Sequence, residues 1–156
     1  MTTNEQLIHQ FYSAFQNKDF ATMQACYADD ATFTDAAFVD LNADQVRAMW
    51  EMLCKNGKDL KLTFGKIQSH QDIVNAEWTA VYLFSKTGKM VTNNVMAEFV
   101  IKNGLIVSHR DKFDFYTWAK QAFGFTGLLI GWTSFFQNKV QTTAKASLEK
   151  FMNRNA

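Results

Sequence analysis

The 156-residue sequence contains no proline and only two cysteines, Cys26 and Cys54. The cysteines are too far apart in sequence for a CxxC redox or zinc motif, so we expect two buried, reduced thiols. The common nucleotide motifs GxGxxG and GxxxxGK[ST] are missing, as are the HExxH motif of zinc peptidases and the GxSxG motif of serine hydrolases. We therefore expect a function that needs no cofactor and no metal ion.

The sequence also lacks an excess of charge and a long hydrophobic run. Sixteen basic and fifteen acidic side chains give a formal net charge of +1, which argues against a nucleic-acid partner. The polar start, MTTNEQLIHQ, has no apolar signal core, and glycines interrupt the longest uncharged run, residues 121–138. These features favour a cytoplasmic protein with no membrane partner.

Aromatic side chains are abundant: 15 phenylalanines, four tyrosines and four tryptophans. They are enough to line a ligand pocket as well as to fill a core. A chain of this length buries roughly 70% of the surface that it exposes when unfolded. We expect residues 1–156 to form one domain, since no linker or internal repeat divides them.

The first 57 residues show apolar residues at helical spacing in three segments. Each segment follows a residue that favours a helix N-cap, namely Thr2 or Thr3, Asp19 and Asn42. The second helix is predicted to carry Phe20, Met23 and Tyr27 on its inner side. The alternating segment at residues 31–35 predicts a short strand with Phe33 and Asp35 on one face.

The hydrophobic period changes to two after Lys58. It predicts long strands over residues 60–70, 73–85, 90–102 and 105–115, which form an antiparallel meander. An apolar stripe from Trp132 to Phe151 predicts a last helix. The fold class is therefore α+β: three helices packed on a curved antiparallel sheet, with a C-terminal helical extension over about residues 118–152.

Polar residues interrupt the apolar inner faces of this predicted sheet. The last strand places His109 and Asp111 on one face, the neighbouring strand adds Asn93, and Asp35 joins from the rim. Polar groups that converge in an apolar space are typical of small-molecule sites, and a carboxylate beside an imidazole suits proton transfer. Two alternatives remain open: His109 and Asp111 bond to each other as a buried plug, and Asp35 is a turn residue.

The candidate catalytic residues are thus Asp111, His109 and Asp35. The candidate ligand contacts are Tyr12, Trp50, Trp78, Asn93 and Phe113, although the aromatic members equally suit a hydrophobic core. His109 and Asp111 lack a third partner for a metal ion, so no metal site is expected.

The segments YADDATFTD and IVSHRDKFDF, together with the order of elements, resemble the nuclear transport factor 2-like superfamily over about residues 3–117. This superfamily includes ketosteroid isomerase, SnoaL-type polyketide cyclases and limonene-epoxide hydrolase. The resemblance implies a cone-shaped α+β barrel and a homodimer. It implies no single activity, because the fold carries both enzymes and binding proteins.

Individual residues match these relatives unequally. Asp35 falls where the isomerase has its general base, but Phe11 and Ala97 stand where it has two oxyanion donors. The His-x-Asp pattern at His109 and Asp111 resembles the cyclases, with Asp111 as the acid/base group. Epoxide hydrolysis is less favoured, because His109 takes the place expected for an arginine.

Two functions follow from these observations. The first is a cofactor-free isomerase or aldol cyclase that acts on a small hydrophobic carbonyl compound. The alternative is a non-catalytic module that binds a hydrophobic small molecule or mediates dimerisation.

Overall fold

The N-terminal part of the computed structural model, which describes residues 1–155, contains the three predicted helices. They are α1 (Thr3–Gln16), α2 (Phe20–Ala25) and α3 (Ala43–Asn56). Thr2 and Asn42 each form a capping box with the residue three positions later, and the Asp19 side chain accepts the Thr22 N–H. These caps bond backbone N–H groups that have no partner within the helix.

Five strands form one sheet in the order β1-β5-β4-β3-β2. They are β1 (Tyr27–Thr34), β2 (Lys61–His70), β3 (Ile73–Phe84), β4 (Lys89–Lys102) and β5 (Leu105–Lys112). Strands β2 to β5 form the predicted antiparallel meander. The sheet is nevertheless mixed, because β1 pairs with β5 in parallel. Parallel neighbours need a long connection, and here α3 and three strands lie between β1 and β5.

The core lies between the inner face of the sheet and helices α1 and α3. Its largest fully buried side chains are aromatic, and they include Trp50, Tyr12, Tyr27, Phe11 and Phe15. Many of these rings meet edge to face, as Phe15 and Trp50 do with centroids 5.0 Å apart. Each such pair contributes about 0.5–1.5 kcal/mol beyond the burial of its surface. The α+β architecture with a C-terminal helical extension is confirmed.

Several element boundaries differ from the sequence prediction. Helix α2 ends at Ala25, so Tyr27 begins β1 instead of lying on a helix. Strand β5 ends at Lys112, because the Asp114 side chain accepts the Thr117 N–H and caps a new helix. Phe115 therefore belongs to that helix and not to the strand.

The C-terminal extension consists of three helices: α4 (Phe115–Phe123), α5 (Phe125–Ile130) and α6 (Ser134–Arg154). Helix α6 packs on α3 and buries Leu148. Trp132, predicted at the start of this helix, lies in the preceding turn and is 71% exposed. The Gln141 amide donates to the Ala36 carbonyl at 3.1 Å, which ties α6 to the loop after β1. Among residues 1–155 no helix combines the length and apolarity needed to cross a bilayer.

Helix α5 packs on α4 through Gly127. A Cβ atom on Gly127 would lie 2.0 Å from the Ala119 carbonyl oxygen, which is backbone and cannot easily move. We expect Gly127→Ala to lower the free energy of unfolding by about 1–3 kcal/mol, as overpacking does elsewhere. Urea unfolding measures this change, with Gly65→Ala as the control because a Cβ at Gly65 meets nothing within 4 Å. Equal stability of both variants would contradict this packing.

Candidate active site

The structure places His109 and Asp111 inside the protein. They alternate along β5, opposite Phe99 and Ala97 of β4, and keep only 1% and 5% of their surface exposed. The His109 Nε2 atom lies 2.9 Å from Asp111 Oδ1. The other carboxylate oxygen, Oδ2, has no hydrogen-bond partner within residues 1–155. One oxygen of Asp111 is therefore engaged by the imidazole and the second is available.

A chain of hydrogen bonds fixes the orientation of the imidazole. The Trp50 indole N–H donates to Tyr27 Oη at 2.8 Å, and Tyr27 Oη lies 2.8 Å from His109 Nδ1. An indole N–H only donates, so the Tyr27 oxygen accepts there and its own hydrogen is free for Nδ1. His109 then carries its hydrogen on Nε2 and donates it to Asp111. This arrangement gives a partner to the indole N–H, to the Tyr27 hydroxyl and to both nitrogens of His109.

Aromatic rings enclose His109. Five of them have centroids between 4.0 and 6.2 Å from its own, namely Phe99, Phe33, Phe11, Tyr27 and Trp50. Both nitrogens of His109 are already bonded, and its ring edges meet side chains instead of solvent. Neither nitrogen of His109 is therefore free to bond to a further group.

Asp35 follows β1 directly and closes a tight turn. Its Oδ1 accepts the backbone N–H groups of Ala37 and Phe38 at 2.7 and 2.6 Å. Desolvation of the carboxyl group raises the pKa of Asp35 to about 7, and the nearby Asp111 charge adds to this rise. The two backbone hydrogen bonds favour the charged form and oppose the shift. Asp35 thus fills the turn role and also has the acidity of a group that exchanges protons near neutral pH.

Two interior donors have no partner among the described residues. They are Tyr12 Oη and Trp78 Nε1, on rings whose centroids lie 6.1 Å apart. Burial raises the pKa of Tyr12 well above its usual value, and the charge of Asp111 adds to the rise. Buried donors are almost always bonded in folded proteins, so two unbonded ones on neighbouring rings could each donate to an additional oxygen.

Asn93 and Phe113 are the two remaining predicted ligand contacts. Asn93 is half-buried on β4, four residues before Ala97, which corresponds to about 13 Å along a strand. Phe113 follows the end of β5 and joins Trp78 in lining an open groove of about 450 Å³ across β3 and β4. The lining of this groove does not include Asp35, His109 or Asp111. Contacts or charge link the other six predicted residues, Asp35, His109, Asp111, Tyr12, Trp50 and Trp78. The ligand-contact roles of Asn93 and Phe113 stay predictions.

The described residues contain no group of three or more histidine, cysteine, aspartate or glutamate side chains arranged around a possible metal position. Both cysteines are buried and free, as predicted.

A family model described as the SnoaL-like domain matches residues 8–109. The chain belongs to this SnoaL-like family. The match confirms the resemblance to the nuclear transport factor 2-like superfamily. The solved structures described next have the same fold. A comparison with curated proteins finds no match.

Several solved structures share the fold of this SnoaL-like chain. An LEH-like epoxide hydrolase from Mycobacterium tuberculosis is 22% identical, with a TM-score of 0.64 over 81% of this chain and 92% of its own. IdmH, a proposed polyketide cyclase from Streptomyces antibioticus, is 19% identical, with a TM-score of 0.63 over 76% and 96%. TerC, crystallised with polyporic acid, is 14% identical, with a TM-score of 0.66 over 79% and 100%.

Tyr27 is the member of this SnoaL-like site that the sequence did not reveal. It continues the alternation of Ala31 and Phe33, but Asp29 interrupts the apolar pattern between them. The pairing of β1 with β5 shifts register between Tyr27 and Thr32. The alternating pattern therefore predicts a strand that is shorter than β1. The sequence feature that could have placed Tyr27 in the site is its spacing: Tyr27 lies an even number of residues before Phe33, so the two side chains are expected on the same face of a strand.

Proposed function

We propose that this SnoaL-like protein catalyses cofactor-free proton transfer on a small hydrophobic carbonyl compound, as an isomerase or an aldol cyclase does. The observation that carries the proposal is the pair of unbonded interior donors, Tyr12 Oη and Trp78 Nε1. The charge of Asp111 acts on both Tyr12 and Asp35, which places these groups around one carboxylate. A carbonyl oxygen accepts hydrogen bonds from such donors, and a carboxylate accepts the proton from the adjacent carbon.

Asp111 is the proposed acid/base group. Its carboxylate takes a proton from the carbon next to the carbonyl, and the electron pair of that C–H bond moves to the oxygen as an enolate. Tyr12 and Trp78 donate hydrogen bonds to the enolate oxygen. In an isomerisation, Asp111 returns the proton to a different carbon of a conjugated enolate. In a cyclisation, the enolate carbon attacks a second carbonyl, the π electrons of that carbonyl move to its oxygen, and this oxygen takes the proton from Asp111. A positioned acid/base group accelerates such steps about 10²–10⁴-fold.

His109 and Asp35 support this step in different ways. His109, held by Tyr27 and Trp50, donates to Asp111 Oδ1 and directs the free oxygen toward the ligand. Asp35 serves as a second base, since its pKa of about 7 lets it take or give a proton near neutral pH. The aromatic surroundings exclude water, which strengthens the electrostatic interactions of these groups.

We also propose a cytoplasmic homodimer that takes a hydrophobic ligand. The relative TerC was crystallised with polyporic acid, a small molecule, which supports this class of ligand. Val81 and Met96 on the outer sheet face are 38% and 66% exposed, and they offer apolar surface for a second subunit.

The second candidate function is non-catalytic binding of a hydrophobic molecule. It is favoured by the hydrogen bonds that already occupy both nitrogens of His109, because these leave the imidazole no free position for exchanging a proton with a ligand. Catalysis changes the bound molecule, whereas binding alone leaves it unchanged. Mass spectrometry of small molecules that co-purify with the protein identifies the ligand, and incubation then shows whether the protein converts it.

Replacing Tyr12 with phenylalanine tests the site itself. We expect Tyr12→Phe to weaken ligand binding or slow turnover about 10²-fold or more, as loss of an oxyanion donor does. The melting temperature should stay the same or rise, because the Tyr12 hydroxyl bonds to nothing within the described residues. Isothermal titration and thermal unfolding measure the two effects. Tyr116→Phe is the matched control, since its hydroxyl donates to the Leu128 carbonyl on the C-terminal extension.

Unchanged affinity and turnover in Tyr12→Phe would show that this hydroxyl contacts no ligand. The proposed oxyanion role would then be wrong.

A further inference from the structure

Helix α5 is amphipathic in the opposite sense to most surface helices. Its buried positions are glycines: Gly127 is buried against α4, and Gly131 just after the helix packs near the Ala119 side chain. The large apolar side chains of the helix point away from the protein. A surface helix normally buries its large apolar side chains and exposes polar ones. Packing within the protein therefore does not account for the apolar residues on the outer face of α5.

We define the apolar tip as six side chains of α5, the following turn and the start of α6. Their exposed fractions run from 38% to 74%, and they are Phe125, Leu128, Leu129, Ile130, Trp132 and Phe135. Single exposed apolar residues are ordinary, but a contiguous group of this kind marks an interaction surface. The tip lies outside the proposed catalytic interior.

Lysines surround the apolar tip. The Lys120 ammonium lies 4.6 Å from the Tyr116 ring, and Tyr116 bonds to the Leu128 carbonyl of α5. The Lys89 side chain lies against Gly124, at the junction of α4 and α5. Lys139 follows Phe135 by one helical turn and shares its side of α6. Residues 115–148 contain no acidic residue, so the segment that carries the tip has only positive charges.

This charge distribution decides between two occupants. In a two-fold contact between copies, the same surface meets itself, so lysines of one copy would approach lysines of the other. A membrane with anionic headgroups instead pairs with the lysines while its acyl region accepts the aromatic and leucine side chains.

We propose that the apolar tip docks the protein on the surface of a bilayer that contains anionic phospholipid. Phe125, Leu129 and Trp132 enter the boundary between headgroups and acyl chains, and Lys89, Lys120 and Lys139 contact the headgroups. The protein lies on the membrane and does not span it. This function is separate from the proposed catalysis, so either one stands if the other fails.

Vesicle binding by the full-length protein tests this docking. We expect flotation with vesicles of phosphatidylcholine and phosphatidylglycerol at low salt, and much weaker flotation with phosphatidylcholine alone or at high salt. Trp132 is the exposed tryptophan, so its fluorescence should shift to shorter wavelength on binding. The double variant Trp132→Ala/Phe135→Ala should bind at least about tenfold more weakly, because two large apolar side chains no longer enter the membrane.

A matched control lies at the opposite end of the sheet. Ile73 and Leu105 are 39% and 36% exposed where β3 and β5 begin, so Ile73→Ala/Leu105→Ala should bind like the wild type. Lys120→Gln/Lys139→Gln should lose the preference for anionic vesicles.

Three results would overturn the proposal. The first is no binding to either vesicle, and the second is binding that the Trp132→Ala/Phe135→Ala variant retains. The third is an oligomer in sedimentation velocity that this variant dissociates, which would assign the apolar tip to a second copy of the chain.

Discussion

Asp111→Asn is expected to reduce turnover of the identified carbonyl substrate about 10²–10⁴-fold and to leave the fold intact. An amide cannot accept the proton that the carboxylate takes. Its oxygen can still accept the His109 Nε2–H, so the buried hydrogen-bond chain from Trp50 through Tyr27 persists. The measurements are kcat on the purified variant and its melting temperature.

Asp30→Asn provides the control for this substitution. It makes the same chemical change on β1 at an exposed residue, so kcat should stay at the wild-type value. If Asp111→Asn keeps its activity on the identified substrate, Asp111 is not the proton-transfer group and the mechanism is wrong.

Asp35→Asn is expected to stabilise the protein at about pH 8 and to have little effect at about pH 4. Burial raises the pKa of Asp35 from 3.8 to about 7, so the folded state binds this proton more tightly than the unfolded state. Stability therefore falls as pH rises from about 4 to 7, and the penalty is complete above that range. An asparagine keeps the hydrogen bonds from Ala37 and Phe38 without the buried charge.

The expected gain at high pH is a few kcal/mol, since each unit of pKa corresponds to about 1.4 kcal/mol. Urea unfolding of Asp35→Asn and the wild type at both pH values measures it, with Asp30→Asn as the control. A difference that does not change with pH would show that the Asp35 carboxyl has an ordinary pKa in the folded protein. Turnover should also lose its rise through about pH 7 in Asp35→Asn, so this variant would be more stable and less active.

The C-terminal extension contacts the loop that carries Asp35. Gln141 of α6 donates to the Ala36 carbonyl, next to Asp35, and α6 itself packs on α3. The extension thus helps to hold the loop whose closure keeps Asp35 away from water. The extension therefore supports the site as well as presenting the apolar tip.

Much of the architecture was predictable because it depends on local patterns. Helical spacing and capping residues such as Asp19 and Asn42 located the first three helices, and alternation located β2 to β5. The period of two also placed His109 and Asp111 on one face of β5, since alternate residues of a strand share a face. Short resemblances in sequence then led to the SnoaL-like family.

The boundaries that failed depend on competition between local signals. Asp114 caps α4 and so ends β5 at Lys112, although the alternation continues to Phe115. Asp29 interrupts the alternation of apolar residues, so the pattern does not predict that β1 begins at Tyr27.

By itself the sequence determined the order of the elements as far as β5, the family and the face that carries the imidazole and its neighbouring carboxylate. Only the tertiary structure decided that Tyr27 bonds to His109 across 82 residues, that Tyr12 and Trp78 have no partner, and that Asp35 titrates near neutral pH. The physical reason is that hydrogen-bond partners and desolvation are properties of the surroundings of a group. Those surroundings come from distant segments, which no local pattern specifies.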